Sequence, residues 1–287
     1  MRPINLGLVG TSVGNGHPYS WSAILNGYDK LLMNKCPYPI ISNYLGREVI
    51  QGGALGASVT HIWTEDVSQS KAIAACSGIP NICINLDELI NSVDGVLHAR
   101  DDYEMHPKFI EAYVDAKKPC FIDKPFCLDI ETARALFALD PLEQYLYTCS
   151  AIIFSSKLHS AMIENGRKVK ATGPKDWEKY AIHLIEPSLK ILNDPSLIDY
   201  LIHPTVGTSK HVTFNFDDDK ALEIITSGAL DTPFSFIVDN KTFLVDDYYF
   251  MFKQSLEMFI KFITTGLNPI SRAHTLQVIS LLEKGNK

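Results

Sequence analysis

A lysine between an aspartate and a proline is the residue of this sequence best placed for chemistry. The segment Asp123-Lys124-Pro125 follows a short apolar run, Pro119-Cys120-Phe121-Ile122, and precedes a helix with an acidic first turn. A side chain at the carboxyl end of a parallel strand points into the crevice where α/β sheets bind ligands. There an ammonium group can neutralise negative charge that develops on a reacting oxygen. The alternative is a surface lysine in an ordinary strand-to-helix turn.

Polar residues at helical spacing form a second candidate group, in the segment 173–187. Tyr180, His183 and Glu186 stand three residues apart and therefore share one face of a helix. An imidazole exchanges a proton near neutral pH, so His183 is a candidate general acid or base. The alternative is that this histidine is an ordinary core or surface residue of the helix.

A glycine-rich turn follows the first predicted strand, Ile4–Val9. The turn reads Gly10-Thr11-Ser12-Val13-Gly14-Asn15-Gly16, and a helix is predicted over 19–32. Backbone N–H groups and the positive end of a helix make such a turn a site for a pyrophosphate. The spacing departs from G-x-G-x-x-G, because Ser12 and Asn15 stand at the second and third glycine positions. Taken alone, the turn is better explained as a structural loop.

Strands and helices alternate around these residues up to residue 146. The strand Ala57–Trp63 ends at Thr64-Glu65-Asp66, and a later apolar run ends at Arg100-Asp101-Asp102 before a helix that starts near His106. This alternation predicts a doubly wound parallel sheet. The segment 34–53 exceeds the ~2–6 residues usual for such connections and is predicted to be an inserted loop. It carries either binding determinants or a surface elaboration.

Beyond residue 146, runs of strands replace the alternation. A helix over 177–193 interrupts them, and helices over 248–265 and 271–284 follow. This order predicts an α+β domain with a mainly antiparallel open sheet. The predicted domains are 1–125 and 126–287, with the last helices packed back on the first domain. The predicted strands of the second domain are 147–156, 168–172, 211–216, 222–227, 234–238 and 242–245.

With these elements around it, Asp123-Lys124-Pro125 resembles the Glu-Lys-Pro signature of the Gfo/Idh/MocA family of dehydrogenases. Aspartate in place of the glutamate shortens one carboxylate by a methylene group and leaves the lysine in place. The resemblance covers nearly the whole chain, from the first strand to the final helices. It implies a Rossmann-type domain followed by the α+β domain. It also implies an NAD(P)-dependent oxidoreductase that transfers a hydride between nicotinamide and a secondary alcohol or ketone of a sugar, nucleotide sugar or polyol.

The resemblance also assigns roles to individual residues. Lys124 would hydrogen-bond the reacting oxygen, and His183, which matches the family's histidine by position, would act as general acid or base. Lys179 stands where many members have an aspartate, and Glu186 is a possible substitute for that aspartate. The expected substrate-binding residues are Lys124, Tyr180 and His183, with His106 as a further pocket residue. The expected cofactor-binding residues are Gly10, Thr11, Ser12, Gly14, Thr64, Glu65, Arg100 and Lys124. Arg100 could instead pair with Asp101 or Asp102.

The end of the second strand bears on the choice of nicotinamide nucleotide. Thr64 stands where the family commonly has an aspartate that holds the adenosine ribose, and Glu65 follows it. No arginine or lysine occurs from there until Lys71, so a 2′-phosphate lacks an obvious partner. NAD is therefore the expected cofactor in preference to NADP.

Composition excludes several classes of protein. The net charge is −7 without a basic run, so nucleic acid and anionic membranes are not expected partners. No apolar stretch is long enough to span a membrane, and no secretion signal precedes the first strand, so a cytoplasmic protein is expected. The six cysteines form no C-x-x-C pair. Reduced thiols and no metal site are therefore expected.

Two other functions are compatible with the sequence. A nucleotide-binding sensor or assembly subunit without turnover would explain the irregular glycine turn, Thr64 and Lys179. A reductase of C=N or conjugated C=C bonds is the second alternative, since some short relatives catalyse such reactions. The expected partners are a small sugar-like substrate and further copies of the chain, bound through the open sheet of the second domain.

Overall fold

The computed structural model describes residues 2–287, whose strands form two six-stranded sheets. The chain divides into two units. The first comprises the residues through Phe126 together with Leu136–Thr148 and Phe252–Pro269. The second comprises Cys127–Ala135, Cys149–Met251 and Ile270–Lys287. No helix within residues 2–287 combines the length and apolar character that crossing a bilayer requires.

All six strands of the first unit run parallel. They are β1 (Ile4–Val9), β2 (Ala57–Trp63), β3 (Asn81–Ile82), β4 (Gly95–His98), β5 (Cys120–Ile122) and β6 (Leu146–Tyr147). Their order is β3-β2-β1-β4-β5-β6. The direction of winding changes between β1 and β4, so ligands are expected at the carboxyl ends of these strands. The predicted Rossmann-type sheet is confirmed.

Helices flank this sheet, and aromatic side chains fill its core. Trp21 stacks on Phe121 of β5 with ring centroids 4.7 Å apart, and Phe121 meets the edge of Tyr147 at the same distance. The 3-10 helix Tyr103–Met105 precedes the sixth helix. The helices are α1 (His17–Asn26), α2 (Lys30–Met33), α3 (Pro39–Leu45), α4 (Val67–Ser77), α5 (Leu86–Ser92), α6 (His106–Asp115) and α7 (Ile130–Leu139), the last with residues in both units.

The first helix differs from the predicted span of 19–32. It starts earlier, at His17, and ends at Asn26. Gly27 follows with a φ of 77°, a conformation that glycine adopts without steric strain. The Asp29 side chain then caps the separate helix α2 by accepting hydrogen bonds from two backbone N–H groups.

The predicted inserted loop is wrong in one respect, because the segment 34–53 contains the helix α3. This helix buries Ile41, Tyr44 and Leu45, and the Tyr44 hydroxyl donates to Ser20 Oγ at 2.5 Å. At Gly52, a Cβ atom would lie 2.1 Å from the carbonyl oxygen of Asn26. The segment is therefore a packed part of the first unit.

The second unit is built on a mixed sheet. Its strands are β7 (Lys168–Gly173), β8 (Leu197–His203), β9 (Lys210–Phe216), β10 (Ala221–Thr226), β11 (Phe234–Val238) and β12 (Lys241–Val245). They lie in the order β12-β11-β7-β10-β9-β8, and only the β7–β10 pair is parallel. The predicted mainly antiparallel sheet is confirmed, and five of its strands were predicted to within one residue.

Two strand assignments fail. The predicted strand 147–156 is wrong beyond Tyr147, because Ser150 begins the buried 3-10 helix Ala151–Phe154. A short apolar run cannot be assigned to strand or helix by periodicity alone. The strand β8 was missed, since it pairs only with β9 and four consecutive residues in it are exposed. It lacks the alternation that reveals a half-buried strand.

The helices of the second unit cover one face of its sheet. They include α8 (His159–Glu164), α9 (Trp177–Tyr180), α10 (Ile182–Ile191) and α12 (Arg272–Asn286), and α11 (Tyr248–Thr265) has residues in both units. The predicted helix 177–193 is thus two segments. Within α10, Pro187 has no N–H group for the carbonyl oxygen of His183, which weakens the helix there.

Candidate functional site

The switch point of the first sheet brings Ser12, Asp101 and Lys124 together. The Ser12 hydroxyl donates to the Asp101 carboxylate at 2.6 Å and accepts from the Asp101 N–H at 3.0 Å. The other carboxylate oxygen lies 3.7 Å from Lys124 Nζ. Lys124 is only 5% exposed. The alternative of a surface lysine is therefore wrong, and a buried ammonium stands at the carboxyl end of β5.

Asp123 joins the glycine-rich turn to the same strand end. One carboxylate oxygen accepts from Asn15 Nδ2 at 2.7 Å and lies 2.5 Å from His17 Nδ1. The other accepts from the Lys124 N–H at 2.8 Å. The aspartate that replaces the family's glutamate thus orders both the turn and the lysine.

Sequence reasoning did not place Asn15, His17, Asp101 or Asp123 among the site residues. The available signal was position, since Asp123 directly follows β5, His17 starts α1, and Asn15 and Asp101 lie in the loops after β1 and β4. The His17 ring stacks on Trp21 with a centroid distance of 5.1 Å. An aromatic residue one turn after a histidine was the further clue that its ring is held in place.

Backbone N–H groups of the glycine-rich turn fit an anionic cofactor group. Within residues 2–287, the N–H groups of Thr11, Ser12, Val13 and Gly14 have no hydrogen-bond acceptor. Gly14 has a φ of 80° and open space where a side chain would be. Unpaired N–H groups in an open turn are the arrangement that binds a diphosphate. The Thr11 hydroxyl is held by Gln69.

The first turn of α1 contributes less to such a site. The His17 N–H is bound by Asn15 Oδ1 at 2.8 Å, and Pro18 has no N–H group. At Gly16, a Cβ atom would lie 2.4 Å from Ile41 Cδ1 of α3. A Cβ atom at Gly10 would lie 2.8 Å from Cγ of Pro18. These glycines are required by packing within the protein, so the irregular spacing is compatible with a nucleotide site formed by the turn.

At the end of β2, the Glu65 side chain is exposed and the Thr64 hydroxyl is hydrogen-bonded inside the protein. The Thr64 hydroxyl donates to the Asp66 carbonyl at 2.5 Å and lies 2.7 Å from Ser70 Oγ, so it is engaged inside the protein. The Glu65 side chain is 62% exposed. Its carboxylate lies 3.3 Å from Arg100 Nη1, contributed by the loop after β4. Of the two residues, Glu65 is the accessible one.

Arg100 and His106 have structural partners. The Arg100 guanidinium makes two hydrogen bonds to Asp102, at 3.0 and 2.5 Å, as the alternative reading anticipated. His106 is fully buried and lies 3.0 Å from the carbonyl oxygens of both Arg100 and Phe126. Burial lowers the pKa of His106. This histidine therefore ties the loop after β4 to the loop after β5.

His183, on α10 of the second unit, is held by the residue that begins a 3-10 helix. Its Nδ1 lies 2.7 Å from Ser150 Oγ, and its ring meets those of Tyr180 and Phe234 edge-on. The Tyr180 hydroxyl accepts a hydrogen bond from Lys175. Tyr180 and His183 thus lie together, as their spacing predicts.

Glu186 also contacts Ser150, but through the backbone of that residue. Its Oε2 accepts from the backbone N–H of Ser150 at 2.5 Å. Burial raises the pKa of Glu186 to about 8. The carboxyl thus contacts the residue that holds His183, through the backbone of Ser150.

Comparison with known proteins identifies the family. Residues 4–145 match the Gfo/Idh/MocA oxidoreductase family with its NAD-binding Rossmann fold. No curated protein sequence is significantly similar to the chain. Among solved structures, myo-inositol 2-dehydrogenase from Lactobacillus plantarum has a TM-score of 0.75 at 11% identity, with 99% of this chain and 96% of that chain covered.

Two further structures have the same fold. UDP-N-acetylglucosamine 3-dehydrogenase from Acidithiobacillus ferrooxidans has a TM-score of 0.75 at 13% identity, covering 99% of this chain and 97% of its own. An oxidoreductase from Agrobacterium radiobacter, in complex with NAD+, L-tartaric acid and magnesium, has a TM-score of 0.72 at 12% identity, covering 99% and 95%. Residues 4–145, which carry the glycine-rich turn and the Asp-Lys-Pro segment, belong to the Gfo/Idh/MocA family of NAD-binding oxidoreductases.

Proposed function

We propose that the chain transfers a hydride between NAD and a secondary alcohol or ketone of a sugar, a nucleotide sugar or a polyol. The observation that carries this proposal is the buried Lys124 ammonium at the switch point, in the same unit as the open N–H groups of the glycine-rich turn. Similar folds in an inositol dehydrogenase and a nucleotide-sugar dehydrogenase support the substrate class.

The turn and the end of β2 are assigned to the cofactor. The N–H groups from Thr11 to Gly14 would hold the diphosphate, and the exposed Glu65 carboxylate would accept from the ribose hydroxyls. NAD supplies the hydride acceptor when it is bound. Thr64 and Arg100 both bind protein groups, and each would help to hold Glu65 in position.

Lys124 and His183 are assigned to the reacting hydroxyl. The ammonium of Lys124 would donate to the substrate oxygen and stabilise its developing negative charge. Asp101 and Asp123 hold the lysine side chain and backbone in place. The imidazole of His183 would accept the hydroxyl proton during oxidation and return it during reduction. Tyr180 is assigned to substrate binding beside this histidine.

NAD is expected to bind more tightly than NADP in calorimetric titrations. Glu65 would repel a 2′-phosphate, and the nearby Arg100 is already neutralised by Asp102 and Glu65. Glu65→Gln should narrow the difference between the two nucleotides, whereas Asp87→Asn, an exposed acidic control on α5, should not. Tighter binding of NADP to the wild type would refute the preference.

The same preparation tests turnover. We expect NADH formation, followed by its absorbance, with at least one member of a panel of inositols, hexoses and nucleotide sugars. Tight NAD binding without turnover on any member would favour the non-catalytic sensor or assembly subunit. Oxidation of NADH by an imine or a conjugated enone, with no reaction on the panel, would favour the reductase.

The open face of the second sheet is assigned to contacts between copies of the chain. It exposes Leu201, Ile237 and Leu244 around the contacts of Glu223 with Lys170 and His211, at 3.0 and 2.9 Å. Apolar side chains around a paired polar centre are typical of such interfaces. Light scattering is expected to give a multiple of the 32.0 kDa chain mass, and a monomer at micromolar concentration would contradict the assignment.

A further inference from the structure

A series of buried polar contacts lies behind His183 in the second unit. Ser150 Oγ is 2.7 Å from His183 Nδ1, and the Ser150 N–H donates to Glu186 Oε2 at 2.5 Å. The other oxygen of Glu186 lies 3.8 Å from Nε2 of His274. Ser150 and Glu186 have at most 2% of their surface exposed. The contacts therefore connect an accessible imidazole to polar groups in the core.

The far end of this series is fixed by a second acidic residue. His274 Nδ1 lies 2.6 Å from Asp194, whose other oxygen accepts from Lys190 at 3.1 Å. Nε2 of His274, which lies 3.8 Å from Glu186, is buried and has no hydrogen-bond partner within residues 2–287. The series thus joins three parts of the chain. They are the residue before the 3-10 helix Ala151–Phe154, α10 with the turn that follows it, and α12.

Burying a carboxyl group costs free energy that favourable contacts must offset. Removing a carboxylate from water costs free energy that hydrogen bonds only partly return. Pro187 adds to the local cost, because it cannot donate to the carbonyl oxygen of His183. The side-chain contact with Ser150 therefore contributes to the position of His183.

We propose that Ser150 and Glu186 are positioning residues for His183. The Ser150 hydroxyl holds Nδ1, and Nε2 is the nitrogen that we assign to proton exchange with the substrate. The Glu186 carboxyl fixes the backbone of Ser150 and so acts on the imidazole through it. This inference rests on the proposed function, in which His183 is the general acid or base.

The surrounding charges determine when Glu186 becomes an anion. Facing it are His274 on α12 and Lys190 and Asp194 at the end of α10. Burial raises its pKa to about 8, while the Ser150 N–H and Lys190 act in the opposite direction. Glu186 is therefore protonated at neutral pH and gains a negative charge above pH 8. Around His183 lie Tyr180, bound by Lys175, and the uncharged Phe234.

Nitrogen NMR of histidine-labelled protein tests the contact without substrate or NAD. The resonances of His183 are those that disappear in His183→Asn. In Ser150→Ala, the resonances of both His183 ring nitrogens are expected to shift towards the values of a solvated imidazole. Ser188→Ala is the matched control, because Ser188 is a buried serine on α10, the helix that carries His183. Its hydroxyl has no hydrogen-bond partner in residues 2–287. Unchanged His183 resonances in Ser150→Ala would overturn the inference.

Glu186→Gln provides a second test that does not depend on the folding of Ser150→Ala. In the wild type, the His183 resonances should show a step near pH 8, as Glu186 ionises. That step should be absent in the glutamine variant, which keeps an oxygen for the Ser150 N–H. A step that persists in Glu186→Gln would overturn the role of Glu186.

Kinetics separate this inference from the proposed function. Ser150→Ala should lower kcat by about 10- to 100-fold through misplacement of the imidazole, with KM for NAD unchanged. If His183→Asn keeps full turnover, the proposed function of His183 and this inference both fail. If His183→Asn is inactive but Ser150→Ala leaves the His183 resonances and kcat unchanged, only the positioning role fails.

Discussion

Lys124→Ala is expected to lower kcat by about 10²–10³-fold, the loss that follows removal of one donor to a developing oxyanion. The ammonium is buried beside Asp101, and solvent cations cannot reproduce a charge held at that point. NAD affinity should change little, because the N–H groups of the glycine-rich turn carry the diphosphate. Steady-state kinetics on an active member of the panel and calorimetry with NAD measure the two effects.

Lys117→Ala is the matched control, since Lys117 is an exposed lysine before the opposite end of β5. It should leave kcat unchanged. Thermal unfolding of Lys124→Ala measures the stability lost when Asp101 loses its ammonium partner, because removing one partner of a buried pair is destabilising. A folded variant with near wild-type kcat would restrict Lys124 to a structural role.

His183→Asn is expected to lower kcat by about 10²–10⁴-fold, the usual contribution of a positioned general base. It should also remove the acidic limb of the pH profile of kcat/KM for alcohol oxidation. Only the neutral imidazole accepts the substrate proton, so the wild-type rate falls as the pH is lowered and the ring becomes protonated. Profiles of the wild type and the variant, measured with the same alcohol, test both effects.

His159→Asn, an exposed histidine on α8, is the control and should retain both the rate and the limb. Glu186→Gln should also leave the acidic limb in place, because the glutamine keeps an oxygen for the Ser150 N–H and His183 remains the group that titrates. If His183→Asn keeps the rate and the limb, another group handles the proton.

The strands were predictable where burial alternates or is continuous. β2 and β11 have the predicted bounds, because apolar residues in them alternate with more exposed ones. The edge strand β8 shows no such pattern. The first helix was predicted too long, since apolar residues continue past Gly27 and only its positive φ ends the helix.

The site was predictable where it follows from position on the sheet. The place of Lys124 at the end of β5 is a consequence of strand order, and Tyr180 and His183 share a helical face. The partners of these residues were not predictable. Asp123 meets His17 across 106 positions of sequence, and Ser150 meets His183 across 33. No local pattern records such contacts, which depend on the assembled fold.

The bonds from Asp123 to Asn15 and His17 also bear on how the protein folds. They join the turn after β1 to the end of β5, and β4 lies between these strands. Closing a loop of more than one hundred residues is entropically costly, and contacts of this range form late in folding. The Asn15 and His17 side chains therefore gain their Asp123 partner only once β5 has docked in the sheet.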